Sequence, residues 1–237
     1  MKLSDRLNAI YEFIRPGEMV ADIGSDHGFI AVKLIEEEKS PYIILSDISE
    51  YSLLKGKKNI DNYENNDIII DCRMGDGLKT LDYGEVDDVI IAGIGGRLIV
   101  DILSNETMKT SSFPKLILQP RNHSGELRYW LYNNGYNITN DIIVRENKYI
   151  PEIIVAVKGM PLVDIKGLDK ESIELEVPIT LCDNDKDILI DFLNGKIDKT
   201  NVVLENLKKS SDIDLKLFKK YEYRLNYLKY FLEKVIL

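Results

Sequence analysis

Residues 19–28 read Met19-Val20-Ala21-Asp22-Ile23-Gly24-Ser25-Asp26-His27-Gly28. The apolar start predicts a short buried strand, Gly24 a turn, and helical spacing resumes over 30–35. Strand, glycine turn and helix make the first half of a βαβ unit. Upstream of it, Leu3, Leu7, Ile10 and Ile14 lie at helical spacing. Downstream, the short apolar runs 42–46, 68–72, 89–92 and 115–118 read as strands, and 49–60, 98–103 and 125–133 as helices. This alternation predicts a parallel sheet covered by helices on both faces.

The pattern changes after residue 133. Runs 136–144 and 153–157 are rich in β-formers, and the joining segment 145–152 leaves no room for a helix. They predict an antiparallel pair closing one sheet edge. Five parallel strands plus a terminal hairpin is the layout of the seven-stranded, Rossmann-like sheet of class I methyltransferases; a dinucleotide-binding fold would continue with another helix. Residues 159–182 carry turn signals and little periodicity, so the expected division is a domain over 1–160 and a helical hairpin over 161–237. Within the latter, 184–209 and 214–236 are helical stretches separated by Ser210-Ser211-Asp212, with Asp183 or Asn184 as the expected first cap. Phe218, Tyr221, Leu225, Leu228, Leu232 and Val235 alternate spacings of three and four, a heptad seam suited to a coiled-coil-like hairpin.

Composition narrows the function classes. The chain has 237 residues, 44% hydrophobic and 30% charged, enough for a sizeable core and unlike a disordered chain. No apolar run approaches the roughly 18 residues of a membrane span, and the first residues lack the apolar stretch of a secretory signal. Cys72 and Cys182 are far apart and there are two histidines, which excludes a disulfide framework and the usual zinc spacings. The expectation is a soluble, cytoplasmic, metal-independent protein without a membrane partner. A net charge of −9 argues against a generic nucleic-acid binder. However, residues 196–237 hold ten Lys/Arg against six Asp/Glu, leaving the rest of the chain strongly acidic.

Candidate chemistry gathers where the strands end. In the first turn, Asp22, Gly24, Ser25 and His27 surround Asp26, which stands where a pyrophosphate-binding turn would carry a further glycine. A carboxylate repels a pyrophosphate and attracts a cation, and the sulfonium of S-adenosylmethionine is a cation. Asp47 ends the second strand, where an acidic side chain can accept from ribose hydroxyls. Asp76 and Gly77 follow the third and suit an adenine amino group. Ala92, Gly93 and Gly95 follow the fourth, where glycines permit close approach of a ligand or target base. Gln119 and Asn122 follow the fifth, facing the same crevice, and Arg6 joins them if the first helix covers its mouth.

In order along the chain stand LSDRL (3–7), DIGSDHG (22–28), GDGL (75–78), AGIGG (92–96), LILQP (116–120) and LRYWLYNNGY (127–136). Together they resemble the bacterial TrmK-type tRNA (adenine-22-N1)-methyltransferases. The resemblance runs by motif to about residue 158 and beyond it through the helical hairpin. Ile94 replaces the family's usual methionine, Arg121 its usual asparagine, and Pro151 precedes Glu152-Ile153 where a tyrosine is usual, with Tyr149 two residues earlier. The resemblance implies S-adenosyl-L-methionine as cofactor, tRNA as partner and a C-terminal domain that helps hold it. It favours Asp26 as the catalytic residue. Asp22, Gly24, Ser25, His27, Asp47, Asp76, Gly77, Ala92 and Gly93 are then expected on the cofactor, and Arg6, Gly95, Gln119 and Asn122 on the substrate. Lys208, Lys209, Lys216, Lys219, Lys220 and Arg224 are candidates to track phosphates. Open alternatives are a methyltransferase acting on another RNA, a small molecule or a protein, and a non-catalytic RNA-binding module. A monomer and a weak homodimer joined by the heptad seam both remain open.

Overall fold

Apolar runs without alternation are what strands buried on both faces require, and these runs build the sheet. The computed structural model describes residues 1–63, 67–210 and 214–237. Its strands are β1 (Val20–Ile23), β2 (Tyr42–Asp47), β3 (Ile69–Met74), β4 (Asp88–Ile94), β5 (Lys115–Pro120), β6 (Tyr136–Ile143) and β7 (Glu152–Lys158). They form one sheet in the order β3-β2-β1-β4-β5-β7-β6. The first five are parallel, while β7 runs antiparallel to both β5 and β6. This is the seven-stranded, Rossmann-like arrangement expected from the sequence.

Successive strand residues point to opposite faces, and two cores result. Val20, Ile43 and Leu45 pack on one face with Ile10 and Ile14 near α1 (Asp5–Glu12) and with Ile30 and Leu34 of α2 (Phe29–Glu36). On that side α3 (Glu50–Ile60) lies against β2. Ala21, Ile23 and Ile44 pack on the other face with Ile99 and Leu103 of α4 (Gly96–Asn105) and Leu127 and Leu131 of α6 (Ser124–Asn133). A four-residue α5 (Thr107–Thr110) follows α4.

The stretch read as a boundary is more ordered than its sequence suggests. Residues 173–176 form α7 (Ile173–Glu176), 179–183 a 3-10 turn, and Ile173, Leu175, Val177 and Leu181 are buried. Beyond it, α8 (Lys186–Lys209) and α9 (Leu215–Ile236) pack together. Leu189, Phe192 and Leu193 of α8 meet Leu228 and Phe231 of α9 in a third core that reaches Ile143 of β6. Of the predicted heptad seam, Leu228 is buried in this core, Leu232 and Val235 pack against it, and Phe218, Tyr221 and Leu225 are half-buried. Ser211 and Asp212 of the expected separator lie outside the described residues. The cap of α8 is neither Asp183 nor Asn184 but Asp185, whose carboxylate accepts from Asp187 N and Ile188 N, each at 3.0 Å. Asn184 is engaged elsewhere: it accepts from Ile143 N (2.8 Å) and donates to Asp141 O (2.8 Å), clamping the hairpin to β6.

A charge network reinforces this clamp. Arg128 of α6 has no exposure and forks onto Asp141 at 3.0 and 2.6 Å. It also donates to Glu152 (2.8 Å) and to the Leu175 carbonyl (3.0 Å). Glu176 accepts from Lys196 (2.8 Å) and from Arg224 (2.5 and 2.6 Å). Burial opposes its ionisation, but the Arg224 hydrogen bond and the two cationic charges outweigh that and hold it at about 2. Arg224 is therefore tied into the fold, which removes it from the residues available to phosphates. Among the described residues no helix is long and apolar enough to cross a membrane, and no group of three metal-ligating side chains occurs.

Candidate functional site

Because β1 pairs with both β2 and β4, the strand order reverses beside it, and crevices at such switch points receive ligands at the strands' carboxyl ends. There a cavity of about 540 Å³ opens, lined by Asp22 and the turn from Gly24 to Ile30, by Ala92, Gly93 and Ile94, and by Met1 to Ser4, Arg6 and Leu7 in and before α1. The structure thus brings together Arg6, Asp22, Gly24, Ser25, Asp26, His27, Ala92 and Gly93 from the sequence-derived set. Arg121, noted in the sequence only as a departure from the family, also lines it, as does Phe29.

The turn's geometry explains its glycines. Gly24 sits at φ +76°, favourable for glycine, and an added Cβ there would meet nothing within 4 Å. Gly28 serves packing instead: its absent Cβ would fall 2.9 Å from Leu45 and 3.3 Å from the Gly56 backbone of α3. Between them, Ser25 Oγ is buried without a hydrogen-bond partner among the described residues, which leaves its hydroxyl available to a polar group in the cavity. Asp26 is about half exposed, with one oxygen 3.1 Å from His27 Nε2 and the other 3.5 Å from Lys55 Nζ on α3. The His27 ring stacks on Phe29, centroids 5.0 Å apart.

Asp22 is buried at the end of β1. Burial first, then the neighbouring Asp47 charge, push its carboxyl up to about 7, with Arg6 opposing them. Asp47 is itself buried and accepts from Ser49 N (2.7 Å), starting α3. The cavity thus holds a carboxyl group whose ionised form lacks sufficient positive charge around it, an environment suited to a cation. With the orphaned Ser25 hydroxyl and the open Gly24 backbone, these residues fit a cofactor carrying positive charge and hydrogen-bonding groups.

On the opposite wall, β4 bulges at Gly93, so that Ala92 faces Gln119 and Ile94 faces Pro120. Gly93 has φ +79°, and its N–H donates to Gln119 Oε1 (3.1 Å). The same oxygen accepts from Arg6 Nη1 (3.0 Å), and Gln119 Nε2 donates to Pro120 O (3.1 Å). Gln119 is therefore a buried brace beneath the bulge. The remaining candidates stand outside the main cavity. Asp76 is exposed and paired with Lys79 (2.7 Å), and Gly77 packs on Ile102. Asn122 Oδ1 contacts His123 Nδ1 (2.7 Å) beside Gly95. Sequence reasoning missed Glu146, which holds the first turn of α1 from a turn 140 positions away.

Known proteins share this framework. Residues 3–154 match the family model of a methyltransferase domain. The chain is 36% identical over 159 residues to the tRNA (adenine(22)-N(1))-methyltransferase of Bacillus subtilis strain 168, across 67% of this chain and 66% of that protein. That sequence match spans slightly less than two thirds of the relative's length. A Streptococcus agalactiae structure of the NADB-Rossmann superfamily superposes with a TM-score of 0.85, at 25% identity over 98% of each chain. The crystal structure of the B. subtilis M1A22 tRNA methyltransferase TrmK superposes with a TM-score of 0.80, at 30% identity over 99% of each chain. With a methyltransferase domain matched over most of its length and a TrmK relative matched along nearly all of it, this chain belongs to the TrmK family of methyltransferases.

Proposed function

We propose that the protein transfers a methyl group from S-adenosylmethionine to N1 of adenine 22 in tRNA. The observation that carries this reading is the pair of carboxyl groups, Asp22 and Asp26, lining one cavity at the switch point, in a chain of this family. The cofactor, when bound, supplies an electrophilic methyl on a positively charged sulfur. Asp22 and Asp47 provide the negative charge that such a group requires, and Ser25 Oγ a free hydroxyl. Adenine N1 has a lone pair and no proton, so no base is needed at that atom. Asp26 accepts from the exocyclic amino group and stabilises the positive charge that the ring gains. The Gly93 bulge, braced by Gln119 and Arg6, borders the base and limits its approach. N1 lies on the pairing edge, so the nucleotide has to be unpaired or turned out of its stack.

The hairpin of 161–237 is the RNA-holding domain in this reading. Lys208, Lys209, Lys216 and Lys219 are exposed on it, whereas Lys220 pairs with Glu171 and Arg224 with Glu176. Reversing the charge of the four exposed lysines is expected to weaken tRNA binding and flatten its salt dependence. Unchanged binding would make this surface irrelevant to RNA. The reaction itself is tested by digesting labelled tRNA to nucleosides. The label is expected in 1-methyladenosine, and label in any other nucleoside overturns the assignment.

Cofactor affinity should also depend on pH. A cationic ligand favours ionised Asp22, whose carboxyl is pushed up to about 7 in the free protein. Affinity therefore rises as pH approaches about 7 from below, with proton release on binding, and levels off above it. For the unliganded fold the sign is opposite: the raised value favours folding at low pH, and that contribution is lost as pH rises toward about 7. Calorimetric titration of the cofactor across this range, with Asp22→Asn alongside, checks the point. The variant should lose the slope, and a flat wild-type profile would contradict the role given to Asp22.

A further inference from the structure

Glu146 lies in the turn between β6 and β7, closed by reciprocal backbone hydrogen bonds with Tyr149 at 2.9 and 3.0 Å. Its Oε2 accepts from Ser4 Oγ (3.1 Å) and Arg6 N (3.0 Å), and lies 3.6 Å from Arg6 Nε. Ser4 is the N-cap of α1, so the carboxylate sits at the positive end of that helix. Arg6 passes the constraint on: its Nη1 donates to Gln119 Oε1, which also accepts from Gly93 N. A continuous series of hydrogen bonds thus joins an outer turn to the bulge on the cavity wall. The hydrogen bonds to the Arg6 backbone, from Arg6 to Gln119 and from Gly93 to Gln119 are 3.0–3.1 Å long, the Arg6 guanidinium meets Glu146 as an ion pair at 3.6 Å, and Gln119 is buried.

We propose that Glu146 is a positioning residue for the methyl-transfer site. By fixing the backbone and guanidinium of Arg6, it holds Gln119 and the Gly93 bulge in the orientation that borders the acceptor base. This rests on the function proposed above. Glu146 and Arg6 each keep about a quarter of their side-chain surface exposed, so solvent screens the pair and its contribution to global stability is modest. The consequence therefore falls on geometry at the cavity, where a displacement of about 1 Å from a remote change can cost as much as 10²-fold in rate.

The test uses the full chain with Glu146→Ala and Glu146→Gln. The amide oxygen of glutamine retains the acceptor for Ser4 Oγ and Arg6 N. Glu146→Ala is expected to lower kcat about tenfold or more with KM for tRNA and melting temperature little changed, and Glu146→Gln to restore most of the rate. In the free protein, the Gly93 backbone amide resonance should move in Glu146→Ala and return in Glu146→Gln. A Gly93 resonance unmoved by Glu146→Ala, or an undiminished kcat, would reduce Glu146 to a surface latch. If wild-type protein did not methylate tRNA, the functional reading would fall, and the Gly93 resonance would still decide whether Glu146 is coupled to the bulge.

Discussion

Asp26→Asn is expected to lower the rate of methyl transfer by about 10²- to 10³-fold while leaving cofactor affinity within a few-fold of wild type. The substitution preserves size and one acceptor oxygen but removes the charge. That isolates what the carboxylate supplies: stabilisation of the cation formed when adenine N1 takes the methyl. His27 and Lys55 hold the carboxylate from two sides, at 3.1 and 3.5 Å. This fixes its position, and it also means that an arriving amino group competes with the His27 ring and the Lys55 ammonium for the carboxylate. Single-turnover rates at saturating tRNA and cofactor give the comparison. A loss below about threefold would make Asp26 an ordinary turn residue, and a loss confined to cofactor affinity would move it to the cofactor side of the cavity.

Arg128→Ala is expected to destabilise the protein by about 3–5 kcal/mol, because it leaves the buried Asp141 carboxylate without its countercharge. Asp141 and Glu152 would both lose a charge-assisted partner, and the Leu175 carbonyl would lose its donor. For a chain of this size the corresponding fall in melting temperature is roughly 10 °C. Arg128→Lys should recover only part, since an ammonium cannot form the two-pronged contact with Asp141. Limited proteolysis adds a local readout. Arg128 joins α6 to α7 ahead of α8, so cleavage in 161–172 should accelerate before the sheet unfolds. Thermal melts showing a loss under about 1 kcal/mol would contradict the network's structural role.

The sheet was legible because buried parallel strands leave uninterrupted apolar runs, and the β6–β7 pair because its connection is too short for a helix. The turn at Gly24 was legible because only a ligand or close packing explains glycines and a carboxylate at that position. Contacts formed between distant parts of the chain were not. Nothing near Arg224 announces its pairing with Glu176, 48 positions earlier, so in sequence it looks like one more phosphate-seeking cation. Asn184 and Asp185 are equally good cap residues locally, and the choice is made by β6, which engages Asn184. The short helix α7 has too few residues for periodicity to show, and burial of Ile173 and Leu175 stabilises it instead. Gln119 was placed at the right strand end, yet its bonds to Arg6 and Gly93 emerge only from the fold.

The proposed reaction is defined by one atom of one nucleotide. It is tested most directly by offering labelled S-adenosylmethionine and two tRNA transcripts differing only at position 22, adenine in one and guanine in the other. Label is expected in the adenine transcript alone, recovered as 1-methyladenosine. Equal labelling of both would contradict the site, and failure to label either while the cofactor binds would contradict tRNA as the substrate.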